Sequence, residues 1–305
     1  MGRVGAVITA AGIGDRDGAY KALEDIDGIT MAERIVRSFY RAGIKEIVIV
    51  TGHQTEELKK LLKWKGVVFL QNEQYQTAQM LDSVKIGLKY LEERCDKILI
   101  TPVDVPLFSM DTVRQLINSD EKIVIPSYQK RSGHPIMIQK NIIRWIIQYN
   151  GAGGLKGCIA SLRDQISYID VKDEGIAADS TDEKNLLRIA EENKGQLQHV
   201  SVDVQLVNRK EFLGAGMVTL LKQIQSLGSV REASDKCGIS YSKAWSMLRV
   251  AETEYGKELV YRQNGGKYGG EARVTSEGFE LIRKYELLEK EIQAFADEKF
   301  KEIFF

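Results

Sequence analysis

The sequence predicts an α/β protein: a Rossmann-like, mostly parallel sheet over residues 1–195, then a mainly helical part over residues 196–305. Three observations carry this. Short continuous apolar runs alternate with helical periodicity through the first part, as strands buried on both faces of a parallel sheet do. A glycine cluster follows the first run directly. From Gly216 onward helical patterns dominate, interrupted by the glycine-rich stretch Gly265–Gly270.

Val4–Thr9 is the first expected strand. Met31–Ala42 carries apolar residues at helical spacing, and Gly43 is placed to end it as a C-cap. Then follow a strand at Ile47–Thr51 (IVIVT), a helix near Thr55–Trp64, a strand at Val67–Gln71 and a helix at Gln79–Arg94. A strand at Lys97–Thr101 (KILIT), a helix at Asp111–Asn118 and a strand at Lys122–Pro126 (KIVIP) complete the alternation. The polar stretch Asn193–Gln196 reads as a linker, and His199–Val207 alternates as a half-buried strand does.

Forty-three basic side chains balance 43 acidic ones, so no overall charge draws an acidic partner. Any nucleic-acid surface has to be a local patch. Cys95, Cys158 and Cys237 are far apart and form no C-x-x-C pair. This argues against a disulfide framework or a cysteine zinc site and suits a reducing, cytoplasmic location. The N-terminal MGRVGAVITAAG lacks the long apolar core of a leader, and no run of ~18 apolar residues is present to span a membrane.

The segment TAAGIGDRDGAYKAL places Gly12, Gly14 and Gly18 beside Arg16 and Lys21. Glycines let peptide N–H groups approach phosphate oxygens, and the two cations supply charge for a triphosphate. The loop follows the first strand, at the carboxyl end where such sheets bind ligands. It is neither a P-loop nor G-x-G-x-x-G, which disfavours a kinase or a dehydrogenase. The bland alternative is a surface turn with two solvated cations.

The arrangement A-A-G-x-G-x-R-x-G-x-x-K-A-L resembles the signature loop of the molybdenum-cofactor nucleotidyltransferases, the molybdopterin cytidylyltransferases among them. Ala10, Ala11, Gly12, Arg16, Gly18 and Lys21 match. Asp15 and Asp17 depart from it, standing where the family usually has Ser or Thr and Met. The resemblance implies a nucleotidyltransferase-type fold and further roles. Asp104, in TPVDVP, would hold Mg2+. Asn72 and Ser83 would bind the nucleotide, and Gly133, His134 and Pro135 would line the acceptor pocket. Asp179 would be a second metal carboxylate, although Ser180 with Glu183 reads equally well as a helix capping box. Lys21, Arg16 and Asp104 would carry catalysis: an acceptor phosphate attacks the α-phosphorus of an NTP and pyrophosphate leaves. The A-A-G start favours CTP, and the acceptor implied is molybdopterin-like.

In the second part, Met217–Ser226 is an amphipathic helix ended by Gly228. Ser229 and Glu232 form a capping box for a short helix to Cys237; Gly238 turns the chain, and Ser240 precedes a helix over Tyr241–Tyr255. Helix, glycine turn and helix at this spacing is the helix-turn-helix pattern. Ser240, Tyr241, Ser242, Lys243 and Ser246 would face a major groove, with Trp245 and Leu248 at core positions. Two short strands around QNGGKYGGEARVT make a wing, from which Arg262, Lys267 and Arg273 would reach phosphates. This region resembles the DNA-binding domain of ModE-type molybdate-responsive regulators, from about Val200 to Phe305. The resemblance implies a homodimer, paired through the long helix from Glu277 to Phe300. The combined expectation is a Mg2+-dependent nucleotidyltransferase of molybdenum-cofactor biosynthesis joined to a winged helix-turn-helix transcription regulator. Two alternatives stay open: a catalytically impaired nucleotide sensor that informs the DNA-binding part, and a sugar-phosphate nucleotidyltransferase.

Overall fold

A computed structural model describes residues 2–12, 20–52, 55–62, 67–179, 181–192, 200, 202–263 and 271–304. The chain divides into two compact units, Met1–Leu61 with Val68–Asn193, and Leu62–Val67 with Lys194–Phe305.

The first unit is built on one sheet. Its strands are β1 (Val4–Ala10), β4 (Glu46–Thr51), β5 (Val68–Gln71), β6 (Lys97–Pro102), β7 (Ile123–Tyr128), β8 (Arg131–Ser132), β9 (Ile136–Gln139) and β10 (Ile166–Asp170); β2 (Asp25–Ile26) and β3 (Ile29–Thr30) form a separate hairpin. The order is β10-β7-β9-β6-β1-β4-β5, with β8 on β7. Strands β6, β1, β4 and β5 run parallel. Strand β9 is inserted antiparallel between β6 and β7, and β10 runs parallel to β7. The expected mostly parallel α/β sheet is therefore present, with an antiparallel insertion that the alternation of runs does not reveal.

Connecting helices cover the sheet: α1 (Met31–Arg41), α2 (Thr55–Leu62), α3 (Met80–Leu91), α4 (Met110–Asn118), α5 (Lys140–Gln148), α6 (Gly154–Ala160) and α7 (Glu183–Glu192). Helix α3 lies against the central strand because Gly87 has no side chain. A Cβ there would stand 2.5 Å from Val7 Cγ1. Val7, Val84, Leu88, Ile98 and Ile100 are fully buried in the shared core. Helix α7 is capped by Asp182, whose Oδ1 accepts the Asn185 amide at 3.1 Å. Ser180, the first residue of the capping box read with Glu183, lies outside the described residues.

The second unit has its own core, with Leu220, Leu221, Ile224, Leu248 and Leu259 fully buried. Its elements are β11 (Leu206–Val207), β12 (Glu211–Leu213), α8 (Ala215–Leu227), α9 (Val230–Lys236), α10 (Tyr241–Tyr255), β13 (Val260–Gln263), β14 (Glu271–Val274) and α11 (Ser276–Phe304). Among the described residues, the strand expected over His199–Val207 is laddered only at Leu206–Val207. Its alternation is real, since Val204 is buried between exposed Asp203 and Gln205. Side chains of α11 take the place of a partner strand. Gln293 donates to the Val200 carbonyl at 3.0 Å and accepts from Val202 N at 3.2 Å; the Tyr285 hydroxyl donates to the Val204 carbonyl at 2.8 Å. The linker read at Asn193–Gln196 lies outside the described residues. Among the described residues no helix is long and apolar enough to cross a membrane.

Candidate active site and candidate nucleic-acid interface

In the first unit the polar residues gather at the carboxyl ends of the parallel strands. Ala10, buried, ends β1, and its carbonyl accepts the Tyr20 hydroxyl at 2.6 Å. That bond closes the base of the loop between them. Burial pushes the Tyr20 phenol well above its usual range, so it stays a neutral donor. Ala11 is buried and Gly12 exposed, while Gly14, Arg16 and Gly18, with Asp15 and Asp17, lie outside the described residues. Lys21 opens the short turn Lys21–Leu23, and its Nζ stands 4.0 Å from Asp104 Oδ2.

Register explains that meeting. Strands β1 and β6 are parallel neighbours, with Thr9 opposite Pro102, so the residues just beyond each strand emerge at one edge. The Val103 amide, donating to the Thr9 carbonyl at 3.0 Å, extends the pairing past the end of β6, and Asp104 follows it beside Lys21. Both side chains keep partial access to solvent, at 21% for Lys21 and 33% for Asp104.

The element expected to line an acceptor pocket arrives through the antiparallel insertion. Ile136 of β9 pairs with Ile100 of β6, so Gly133, His134 and Pro135, just before β9, lie at the same edge. Gly133 is there because nothing larger fits: a Cβ would stand 2.3 Å from the Ile176 carbonyl oxygen. The His134 amide donates to that same oxygen at 2.8 Å. Burial lowers the His134 imidazole to a pKa of about 4, against a backbone hydrogen bond at Ile100 that raises it, so the ring is neutral near pH 7. Its Nδ1 is buried with no hydrogen-bond partner among the described residues.

Asp173 fastens these segments together, and sequence reasoning missed it. Its Oδ2 accepts the Ser109 amide at 2.7 Å and the Thr112 hydroxyl at 2.6 Å, and its Oδ1 accepts the Gly175 amide at 3.0 Å. The segment after Asp104 and the segment from Glu174 to Ala178 are thereby joined by one buried carboxylate. The Asp-x-Gly spelling, which suits a carboxylate accepting the amide two residues on, was the available signal.

Asn72 and Ser83 do meet, but with each other. The Asn72 amide donates to Ser83 Oγ at 3.0 Å, and both are buried. They brace the segment between β5 and α3 from inside.

The donor set suits Mg2+, which binds through one or two carboxylates plus substrate phosphates and keeps several waters. Asp104, partly exposed at the strand edge, could supply such a carboxylate. Asp179 is engaged locally: its Oδ1 accepts the Thr181 amide at 2.9 Å and the Thr181 hydroxyl. Among the described residues no three His, Cys, Asp or Glu side chains gather as a ready-made metal cage. The three cysteines are free and buried, and burial raises their thiols to about 12, 11 and 12 for Cys95, Cys158 and Cys237. They are not nucleophiles near neutral pH.

In the second unit Ser240 caps α10, its hydroxyl accepting the Lys243 amide at 3.2 Å. Gly238, at φ +65°, makes the turn from α9. Ser240, Tyr241, Ser242, Lys243 and Ser246 are all exposed, while Ala244 and Leu248 are buried, so the expected reading residues share an outer face. The two described arginines of the β13–β14 hairpin do not share a face. Arg262 pairs across the hairpin with buried Ala272, whereas Arg273 pairs with exposed Tyr261. Lys267 lies outside the described residues. Trp245 is half-buried, set edge-on to Tyr241 with centroids 5.9 Å apart.

Several known proteins are similar to this chain. The bifunctional protein GlmU of Acetivibrio thermocellus is 26% identical over 220 residues, covering 69% of this chain and 46% of that protein. The transcriptional regulator ModE of Yersinia pestis is 39% identical over 82 residues, covering 27% of this chain and 31% of that protein. The chain thus spans less than half the length of these curated relatives. A solved nucleotidyl transferase from Methanothermobacter thermautotroptrophicus shares the fold of the sheet unit, with a TM-score of 0.53 and 20% identity over 62% of this chain and 97% of that one. Residues 6–166 match the model of the MobA-like NTP transferase domain, and the chain belongs to that family.

Proposed function

We propose that the first unit transfers a nucleotidyl group from an NTP, CTP by preference, to a molybdopterin-like phosphate acceptor, and that the second unit binds DNA as part of a homodimer. The observation that carries the enzymatic reading is the convergence of Lys21 and Asp104 to 4.0 Å at the carboxyl ends of β1 and β6. In the reaction an acceptor phosphate oxygen forms a bond to the α-phosphorus of the NTP. The bond to the departing pyrophosphate breaks, and no side-chain nucleophile is needed. Lys21 offsets negative charge on the phosphates as it builds. Asp104, with Asp179 as the second candidate, would hold Mg2+. When bound, Mg2+ supplies charge neutralisation on the phosphate oxygens. Gly133, His134 and Pro135 lie at the same edge, where an acceptor has to approach. The molybdenum direction rests on the loop signature and on the likeness to ModE over 82 residues.

The DNA-binding reading is supported by the exposed face of Ser240–Ser246 and the hairpin that follows it, together with the name of that relative. The dimer reading is supported by α11, on which Leu288, Phe295 and Ile303 are exposed at 39%, 62% and 70%.

The test is to incubate the protein with Mg2+, each NTP, and either molybdopterin or a panel of sugar phosphates, and to measure pyrophosphate release. Release with CTP and molybdopterin, reduced about 100-fold or more in Lys21→Ala and Asp104→Ala, is expected. Turnover with sugar phosphates alone would replace the acceptor. Saturable nucleotide binding with no release would replace catalysis with sensing.

A further inference from the structure

Glu252, in the last turns of α10, makes three contacts with the strand that follows. Its Oε1 accepts the amides of Leu259 at 3.1 Å and Val260 at 3.2 Å, and its Oε2 engages Arg262 Nη2. The carboxylate side chain is only 14% exposed. The Arg262 guanidinium in turn lies over the Trp245 ring, 4.9 Å from its centroid. Trp245 meets the Tyr241 ring at right angles, and Arg231 of α9 lies 5.1 Å over the Tyr241 centroid. A continuous chain of contacts therefore runs from α9 through α10 to β13, every link involving a charged or aromatic side chain.

The hairpin register gives Arg262 its direction. Val260, Arg262, Ala272 and Val274 occupy one side of the β13–β14 ribbon, and Val260, Ala272 and Val274 are buried. Tyr261 and Arg273 occupy the other side, with Tyr261 57% exposed and the Arg273 side chain 69% exposed. Arg262 is turned back toward α10, and Arg273 is turned outward.

We propose that Glu252 is a positioning residue that locks the hairpin to helix α10, and that Arg262 completes this lock rather than contacting a DNA phosphate. The proposal rests on the DNA-binding reading of the second unit. A wing and a recognition helix that engage one duplex together bind it more tightly when their relative geometry is fixed before binding, because less ordering remains to be done. The three contacts of Glu252 fix it.

The sign of the expected effect separates positioning from electrostatics. Deleting a negative charge beside a DNA-binding surface tightens binding if charge alone matters. Loss of a positioning carboxylate weakens it.

The experiment uses the full chain and the duplex that the wild type enriches from a random-sequence pool, with affinity measured over a range of salt. Glu252→Gln and Glu252→Ala are expected to bind about tenfold more weakly at fixed salt, with the dependence of affinity on salt unchanged. Arg262→Gln is expected to behave likewise, and to add little to Glu252→Gln in the double variant. Arg273→Gln is expected to reduce the salt slope by about one, the signature of one lost phosphate contact. Equal or tighter binding by Glu252→Ala, or a reduced slope in Arg262→Gln, overturns the proposal. Amide hydrogen exchange at Leu259 and Val260 gives a reading that needs no DNA. Exchange accelerated tenfold or more in Glu252→Ala supports the lock, and unchanged protection overturns it. If the wild type enriches no duplex, the DNA-binding reading fails by itself, and the exchange measurement still decides the lock.

Discussion

Replacing His134 with glutamine isolates one buried ionisation. The imidazole has a folded pKa of about 4, lowered chiefly by burial, against an ordinary value of 6.5. A depressed pKa means that the folded state resists the proton while the unfolded chain accepts it. The associated stability is fully present above pH 6.5 and is lost as pH falls toward 4. Each unit of difference is worth about 1.4 kcal/mol, so the whole effect is roughly 3 kcal/mol, of which about 2 kcal/mol falls between pH 7 and pH 5. That interval lies mostly above carboxylate titration. Urea unfolding of the wild type and His134→Gln at several pH values reads it directly. Glutamine does not titrate, so the variant should lose about 2 kcal/mol less than the wild type between pH 7 and pH 5, whatever its stability at neutral pH. Parallel pH profiles for the two proteins would refute the reasoning. They would mean that the folded imidazole accepts a proton as readily as the unfolded one, and that its buried Nδ1 finds a partner.

Two further variants probe what the site and the assembly rest on. Asp173→Ala leaves the amides of Ser109 and Gly175 and the Thr112 hydroxyl without their acceptor, and should cost roughly 3 kcal/mol in urea unfolding, since each buried donor left unpaired costs about 1–3 kcal/mol before water reaches it. Leu288→Glu with Phe295→Glu, one heptad apart on α11, should convert a dimer to a monomer by light scattering while leaving the melting of the first unit unchanged; a persisting dimer would remove α11 from the interface.

What was legible in the sequence, and what was not, divides along the range of the interactions. The strands IVIVT and KILIT, the Gly43 stop and the Ser240 cap were readable because apolar runs and capping chemistry are local. The antiparallel entry of β9 between β6 and β7 was not, because pairing partners are chosen in three dimensions and Ile136–Gln139 has the same composition in either direction. His199–Val207 shows the converse. Its period of two was correct about which side chains face inward, yet its backbone partners are Gln293 and Tyr285 on a helix some ninety residues away. At the site, Lys21, Asp104 and the Gly133–Pro135 element were found by pattern and meet at one strand edge. Asn72 and Ser83 were found by pattern too, yet they bond one another inside the fold. Asp173 left only the short Asp-x-Gly signal, because its bonds to Ser109 and Thr112 span more than sixty residues, and Glu252 escaped because its partners lie seven to ten residues on, at no spacing that marks a motif.

The Lys21–Asp104 pair differs in kind from these fastening residues. Asp173 is buried and saturated with donors, so its removal should be felt first as lost stability. Lys21 and Asp104 face each other at 4.0 Å with both side chains partly open to water. A pair so placed gains little Coulomb energy and contributes at most about 1 kcal/mol to folding. In the proposed reaction its value would lie in what each member does once a triphosphate arrives: the ammonium would turn to phosphate oxygens, and the carboxylate would be released toward a cation. Substitution at either position should therefore leave the melting temperature nearly where it was while removing most pyrophosphate release. Substitution at Asp173 should lower stability first, and affect turnover only through the loosened segments it holds.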